Sequence, residues 1–333
     1  MLRGNREFAE QLRGTTERPW RRTIGPLTIR AVRAVFDLRP VEWAETLAVL
    51  QSVSLADVRS DLRARVLDVE GTLVTLDFPA LDGETSAEQL LAACIAGEWA
   101  DRGDFESCRL VSVEWPDGFP GPAFGAVEGV AVGAILKPAL GLTPEQAGRT
   151  AARLVELGAM LVKDDELQRS SPERVRAVRV SIPDDVLYAA NVTGGDAQAI
   201  VAAGANALMV NAFVEGLGSI GRLRACGLPL FVHRVGSAFM RRSERVSVSA
   251  RVLAELTRLL GADYVQVGSF SPRMFDTDDE VREQIAACHD ALAGVERATA
   301  VIGGGVGPAN AEETLEHAGV RDGVMLLYGS AAY

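Results

Sequence analysis

The stretch Leu157-Gly158-Ala159-Met160-Leu161-Val162-Lys163-Asp164-Asp165-Glu166 runs from an apolar segment straight into a cluster of charge. Met160–Val162 is too short for a helix and ends on polar groups, as a buried parallel strand does at its C-terminal end. Seven further runs share this form: Val132–Leu136, Val186–Ala190, Ala207–Phe213, Pro229–His233, Tyr264–Val267, Thr299–Ile302 and Val324–Tyr328. Helical spacing fills the intervals, for example Pro144–Leu157 and Ser249–Leu260. Eight strands alternating with helices predict a TIM (β/α)8 barrel over residues 126–333. An open doubly wound sheet is the other arrangement such alternation allows, but no GxGxxG follows an early strand to favour it. The chain ends at Tyr333, just after the eighth run, so the expected barrel lacks its eighth helix.

Upstream the pattern changes. Ile29–Leu38 alternates as a strand and Val41–Ser52 has helical spacing. Ala64–Asp68 and Leu73–Phe78 flank Glu70-Gly71, a hairpin signal. Ser86–Gly97 reads as a helix capped by Ser86, and Cys108–Trp115 as a strand. The order β-α-β-β-α-β predicts a ferredoxin-like α+β domain over residues 26–125, behind a polar leader at 1–25. Pro116-Asp117-Gly118-Phe119-Pro120-Gly121-Pro122 marks the expected boundary.

Composition narrows the function. The chain has 333 residues, 48% hydrophobic and 24% charged, with a formal net charge of −11. A surface of that sign does not favour nucleic acid or anionic membrane. It leaves an anionic small molecule open, because basic groups in a cleft decide that question. No stretch approaches the ~20 apolar residues of a membrane helix, and the charged N-terminus is unlike a signal peptide. Cys94, Cys108, Cys226 and Cys288 form no CxxC pair, so free thiols in a reducing cytoplasm are expected.

Active sites of this barrel lie where the strands end. The first strand ends in Lys137-Pro138, the second in Lys163-Asp164-Asp165-Glu166, the fifth in His233-Arg234. The sixth carries Gln266, with Arg273 in the loop beyond; the seventh ends in Gly303-Gly304-Gly305 and the eighth in Gly329-Ser330. Alternation sends Lys163 and Asp165 to one side. Asp165 and Glu166 are oxygen donors suited to Mg²⁺. A lysine is no ligand as an ammonium, but a deprotonated amine can add CO2 and become an anionic carbamate. The plain alternative is a solvated charge cluster. The glycines after strands seven and eight suit a phosphate site built from backbone N–H groups, or simply tight turns. Arg234 could hold an anion, and Lys137 could serve as acid or base.

These residues together resemble the RuBisCO large-subunit superfamily, in particular its RuBisCO-like (form IV) proteins. Gly133-Ala134-Ile135-Leu136-Lys137-Pro138-Ala139-Leu140-Gly141-Leu142 is similar to the family's first-strand motif, and Lys163-Asp164-Asp165-Glu166 to its metal motif at the family's spacing. By this resemblance Lys163 is the carbamylated lysine, and Asp165 and Glu166 join it as Mg²⁺ ligands. Lys137 is a catalytic acid or base and His233 an active-site histidine. Arg234, Gly304, Gly305 and Gly329 bind substrate phosphate, and Gln266 and Arg273 bind substrate. A homodimer, with one N-terminal domain capping the partner's barrel, is also implied.

The departures matter equally. Where carboxylases carry further groups, this chain has Ala139, Gln266, Arg273, Ser237, Glu98 and Gly329-Ser330. The resemblance therefore implies an Mg²⁺-dependent enzyme that enolises a phosphorylated keto-sugar or acid-sugar, not one that fixes CO2. Similar proteins act as enolases, isomerases or transcarboxylase/hydrolases. One alternative is the 2,3-diketo-5-methylthiopentyl-1-phosphate enolase of methionine salvage. Others are a non-catalytic paralogue and an unrelated Schiff-base aldolase using Lys163 or Lys137.

Overall fold

A computed structural model describes residues 29–52, 64–81, 101 and 105–332. The polar leader, the expected helix Ser86–Gly97, Glu98 and Cys94 lie outside the described residues.

The N-terminal part is a sheet. Strands β1 (Ile29–Arg39), β2 (Arg65–Glu70), β3 (Leu73–Leu81) and β4 (Ser107–Glu114) pair antiparallel in the order β4-β1-β3-β2. Gly71, at φ +61°, makes the β2–β3 turn where Glu70-Gly71 predicted it. Val32, Ala34, Phe36 and Leu38 of β1 fall on one face and are fully buried, as period-two alternation requires. Helix α1 (Ala44–Ser52) follows β1 and buries Leu47 and Ala48.

The barrel is closed by eight parallel strands. In chain order they are β5 (Val130–Ile135), β6 (Leu161–Lys163), β7 (Leu187–Asn191), β8 (Ala207–Val210) and β9 (Leu230–Val232), then β11 (Tyr264–Gly268), β12 (Thr299–Gly303) and β13 (Val324–Tyr328). β13 returns to β5 with Val324 opposite Val130, which seals the ring. Between them lie helices α2 (Pro144–Glu156), α3 (Pro172–Arg179), α4 (Ala197–Ala202), α5 (Ala212–Glu215), α6 (Gly218–Arg224), α7 (Ser237–Arg241), α8 (Ala250–Leu259), α9 (Asp278–His289) and α10 (Ala311–Ala318). Their starts are written locally. Thr143 and Gln146 form a capping box ahead of α2, and Thr277 and Glu280 another ahead of α9.

Two cores separate by strand parity. Ala131, Leu161, Ala189, Met209, Phe231, Tyr264, Val301, Met325 and Leu327 fill the barrel interior. Their neighbours, such as Val162, Ala190, Val210, Val232 and Leu326, face the helices. Gly133 keeps the interior tight, since a Cβ there would lie 2.8 Å from Met325 Sδ.

One strand has no counterpart in the sequence reading. Strand β10 (Val246–Val248) lies between β9 and α8, yet it leaves the barrel and pairs parallel with β4. It becomes the fifth strand of the N-terminal sheet. The Pro/Gly stretch around residue 120 is also held. Gly121 N–H donates to Leu259 O, and the amides of Ala123 and Phe124 donate to Asp263 Oδ1. Cys108 and Cys288 are buried free thiols and Cys226 is half-buried. Among the described residues no helix is long and apolar enough to cross a membrane.

Candidate active site

Strand parity builds the site. Leu161 packs inside the barrel, so Lys163 points inside two residues later, Val162 faces the helices, and so does Asp164. Asp164 is fully buried outside the barrel. It accepts from Arg174 Nε of α3 at 2.8 Å, Tyr188 Oη at 2.8 Å, the Asn191 amide at 3.1 Å and the Ser170 hydroxyl. This anchor fixes the backbone from which Lys163 and Asp165 project.

Lys163 is fully buried, and its Nζ has no hydrogen-bond partner among the described residues. It lies 5.6 Å above the Phe231 ring. Burial outweighs the attraction of Glu166, Asp165 and Asp164 and lowers its pKa from 10.5 to about 8. Asp165 accepts from Lys137 Nζ at 2.5 Å and from the Leu167 amide at 3.0 Å. Burial pushes its carboxyl up, but those two donors and the charges of Lys137 and Lys163 hold it below the ordinary value.

Glu166 Oε2 stands 3.6 Å from His233 Nε2. Burial, with the charges of Lys163, Arg234 and Lys137, keeps His233 neutral, well below 6.5. The Val235 amide donates to His233 Nδ1 at 3.1 Å, which assigns the ring proton to Nε2. Sequence reasoning gave no role to the clamp that holds this corner. Asn191 donates to Glu166 O at 3.2 Å and Asn211 donates to the same carbonyl at 3.0 Å. Both close apolar strands with one polar residue, and that was the available signal.

A cavity of ≈ 580 Å³ opens at the strand ends. Lys137, Glu166, His233, Arg234, Gln266, Arg273, Gly304, Gly305 and Gly329 all line it. Lys163 and Asp165 are buried and do not line it; Asp165 reaches its wall through the bond from Lys137. Gly304 and Gly305 have φ of +122° and +78°, conformations that leave the backbone bare. The Ser269 hydroxyl donates to Gly304 O at 2.5 Å and ties this loop to the sixth.

Arg234 is less available than the sequence suggests. Its Nη1 donates to Val267 O at 2.6 Å and its Nη2 pairs with Asp276 Oδ2 at 2.5 Å. Gly268 makes room for it, because a Cβ there would collide with Nη1. Asp276 also pairs with Arg241. Neither Asp276 nor Arg241 was singled out by the sequence reading.

Among the described residues no three His, Cys, Asp or Glu side chains converge as a ready metal group. Asp165 and Glu166 supply oxygen donors. A third would come from Lys163 only if its amine added CO2. A buried, unpartnered amine with a pKa near 8 fits that requirement.

Comparison with known proteins follows the same line. Residues 122–332 match the family of the ribulose bisphosphate carboxylase large chain, catalytic domain. A ribulose bisphosphate carboxylase-like protein of Bordetella bronchiseptica is 30% identical over 286 residues, covering 75% of this chain and 67% of its own length. The 3-oxo-isoapionate-4-phosphate decarboxylase of Rhizobium rhizogenes is 28% identical over 319 residues, covering 84% of this chain and 76% of its own length. In fold, the crystal structure of a rubisco-like protein from Burkholderia fungorum superposes with a TM-score of 0.79 at 24% identity, over 90% of this chain and 88% of that one. From the closed barrel, the Lys163-Asp164-Asp165-Glu166 strand end and these matches together, the chain belongs to the RuBisCO large-chain family, among its RuBisCO-like proteins.

Proposed function

We propose that this protein is a non-carboxylating RuBisCO-like enzyme that forms an enolate from a phosphorylated keto-sugar or acid-sugar. The observation that carries the reading is Lys163: a buried amine without a hydrogen-bond partner among the described residues, within electrostatic reach of Glu166 and Asp165, next to a cavity wall that Glu166 and Lys137 line. A lysine kept only for packing would be better replaced by an apolar side chain.

Lys163 as its carbamate, with Asp165 and Glu166, would hold Mg²⁺. Bound there, the ion supplies positive charge beside a keto oxygen as the neighbouring C–H or C–C bond gives up its electrons. The chain's own residues do the rest. The amides around Gly304, Gly305 and Gly329 bind the phosphate and set the substrate's direction. Lys137, held by Asp165, lines the cavity where it can carry a proton to or from the reacting carbon. His233, neutral with its proton on Nε2, donates to a substrate oxygen and is not a base at that atom. Gln266, whose Oε1 has no hydrogen-bond partner among the described residues, offers an acceptor for a hydroxyl.

Relatives named for decarboxylation and for transcarboxylase/hydrolase action on 3-oxo-isoapionate-4-phosphate favour an acid-sugar substrate. A 3-oxo acid that loses CO2 leaves its bonding electron pair on the adjacent carbon as an enolate, so one site could serve proton removal and decarboxylation alike. A homodimer and Mg²⁺ dependence belong to the same proposal.

The test is solvent-deuterium exchange into a panel of phosphorylated ketoses and 3-oxo sugar acids, followed by NMR. Exchange or decarboxylation that requires Mg²⁺ and disappears in Lys163→Ala supports the reading. A thermal shift on adding Mg²⁺ with bicarbonate, lost in the same variant, supports the metal site. Neither effect in the wild type would leave a binding protein on a RuBisCO scaffold.

A further inference from the structure

The glycines that border the cavity are held from outside it. Gly304 and Gly305 line the cavity, whereas Ser269 and Asn310 do not. Those two side chains line a separate void of ≈ 120 Å³. Two hydrogen bonds join them to the glycines. The Ser269 hydroxyl donates to Gly304 O at 2.5 Å, and Asn310 Nδ2 donates to Gly305 O at 3.0 Å. Each support is itself fixed. Ser269 is buried, and its oxygen accepts from the Ser271 amide at 3.1 Å. Asn310 stands at the start of α10, where its Oδ1 accepts from the Gly307 amide at 2.8 Å and its carbonyl accepts from the Thr314 hydroxyl at 2.8 Å.

Peptide geometry gives these bonds a consequence. Both peptides are trans, and in a trans peptide the C=O and the following N–H point in opposite directions. With Gly304 O drawn to Ser269, the Gly305 N–H is turned away from Ser269. With Gly305 O drawn to Asn310, the Val306 N–H is turned away from Asn310. Neither N–H has a hydrogen-bond partner among the described residues. Successive free N–H groups make a concavity that suits an anion. Glycine has the freest backbone of any residue, so two adjacent glycines would lose much of that freedom on gripping a phosphate. Two side-chain bonds that fix the planes beforehand remove that cost from binding.

We propose that Ser269 and Asn310 are positioning residues for the substrate phosphate: each fixes one glycine peptide plane, so that the Gly305 and Val306 N–H groups are aimed before the anion arrives. This rests on the reading of the glycines as a phosphate site and adds the two side chains that set its strength. Neither side chain touches the anion. If their bonds only close the turn after β12, breaking them leaves phosphate affinity unchanged.

Titration of the nitrogen-15-labelled protein with glycerol 3-phosphate, followed by amide NMR with glycerol as the uncharged control, separates the cases. In the wild type the Gly305 and Val306 amides should shift with the phosphate and not with glycerol. Ser269→Ala and Asn310→Ala should each weaken the phosphate by about fivefold to tenfold, the worth of one hydrogen bond. Ser269→Thr keeps the hydroxyl and should stay within about twofold of the wild type. Before any ligand is added, the Gly305 signal in Ser269→Ala and the Val306 signal in Asn310→Ala should broaden or move, because their planes are released. A general loss of stability would not single out those two amides. Asn310→Asp guards against a variant that fails to fold: it keeps the acceptor for Gly307 and loses only the donor to Gly305 O, and it should weaken the phosphate at least as much as alanine does. Unchanged affinity in these variants, with the wild type binding through Gly305 and Val306, overturns the proposal and leaves the phosphate site standing. Wild-type amides that ignore glycerol 3-phosphate overturn the phosphate-site reading as well.

Discussion

Lys163 and Asp164 leave one strand in opposite directions. Nζ of Lys163 ends inside the barrel with no hydrogen-bond partner among the described residues, while the Asp164 carboxylate ends outside it, 2.8 Å from Arg174 Nε. One peptide thus separates a group that is unsatisfied from one that accepts four hydrogen bonds. The strand is short, only Leu161–Lys163, so the anchor behind it sets where the amine can go.

The unsatisfied amine should cost stability. Its pKa falls from 10.5 to about 8 on folding, and each unit is about 1.4 kcal/mol. Between those values the unfolded chain still holds a proton that the folded chain has released, so stability rises with pH across that window. The contribution is whole above 10.5 and is lost as pH falls to about 8. Lys163→Met should therefore be more stable than the wild type by about 3 kcal/mol at pH 7 in the absence of metal and bicarbonate. The difference should narrow as pH is raised from 8 toward 10. Urea unfolding of both proteins at several pH values checks this; a variant no more stable at pH 7 refutes it.

The opposite outcome is expected at Asp164. Asp164→Asn leaves the Arg174 guanidinium, itself 4% exposed, without its counter-charge. Removing one partner of a buried pair costs about 3–5 kcal/mol. Replacing Arg174 with Met in the same protein should restore part of that loss, because the stranded charge is gone. Urea unfolding of the two single variants and the double variant measures the coupling, and strict additivity would show that the pair does not interact.

These two residues also show how far sequence reading reached. The barrel was legible because each strand is an apolar run that stops at a polar residue. Period-two alternation put Lys163 and Asp165 on one side, and the packing of Leu161 inside the barrel shows which side Lys163 takes. Strand β10 was not legible: Val246-Ser247-Val248 is too short to carry a period, and only its distant partner β4 makes it a strand. Arg241 and Asp276 escaped for a related reason. They lie 35 residues apart on either side of strand β11, and neither stands in a motif. The commitment of Arg234 to Asp276 could not be foreseen without that contact.

His233 should stay neutral in the metal-free protein as pH falls through 6.5. Its folded pKa lies well below that value because of burial and neighbouring cations. The unfolded chain takes up the proton first, so the stabilising contribution is present above 6.5 and is lost as pH falls toward the folded value. Long-range proton–nitrogen NMR should show the Nε2–H tautomer at pH 6. His233→Gln keeps an N–H near the Nε2 position and should retain more deuterium exchange than His233→Ala. The alanine variant should lose on the order of 10²-fold, the usual worth of a positioned donor. Equal activity of the two variants would exclude the donor role.

The seam between the two sheets makes a final prediction that separates folding from chemistry. Ser249 stands between β10 and α8 and holds three groups at once. Its amide donates to Leu110 O at 2.9 Å, its hydroxyl donates to Val111 O at 2.8 Å, and the same oxygen caps α8 by accepting from the Val252 amide at 3.2 Å. Ser249→Ala removes the cap and the bond to β4 while sparing the backbone contact. A lost N-cap costs about 1 kcal/mol and a lost buried hydrogen bond a similar amount, so the expected loss is about 1–2 kcal/mol in urea unfolding. The hydroxyl lies outside the cavity, and deuterium exchange into substrate should be unchanged at temperatures where the protein stays folded. If exchange fell while the fold held, the N-terminal sheet would be acting on the site through β10, and that strand would belong to the catalytic unit.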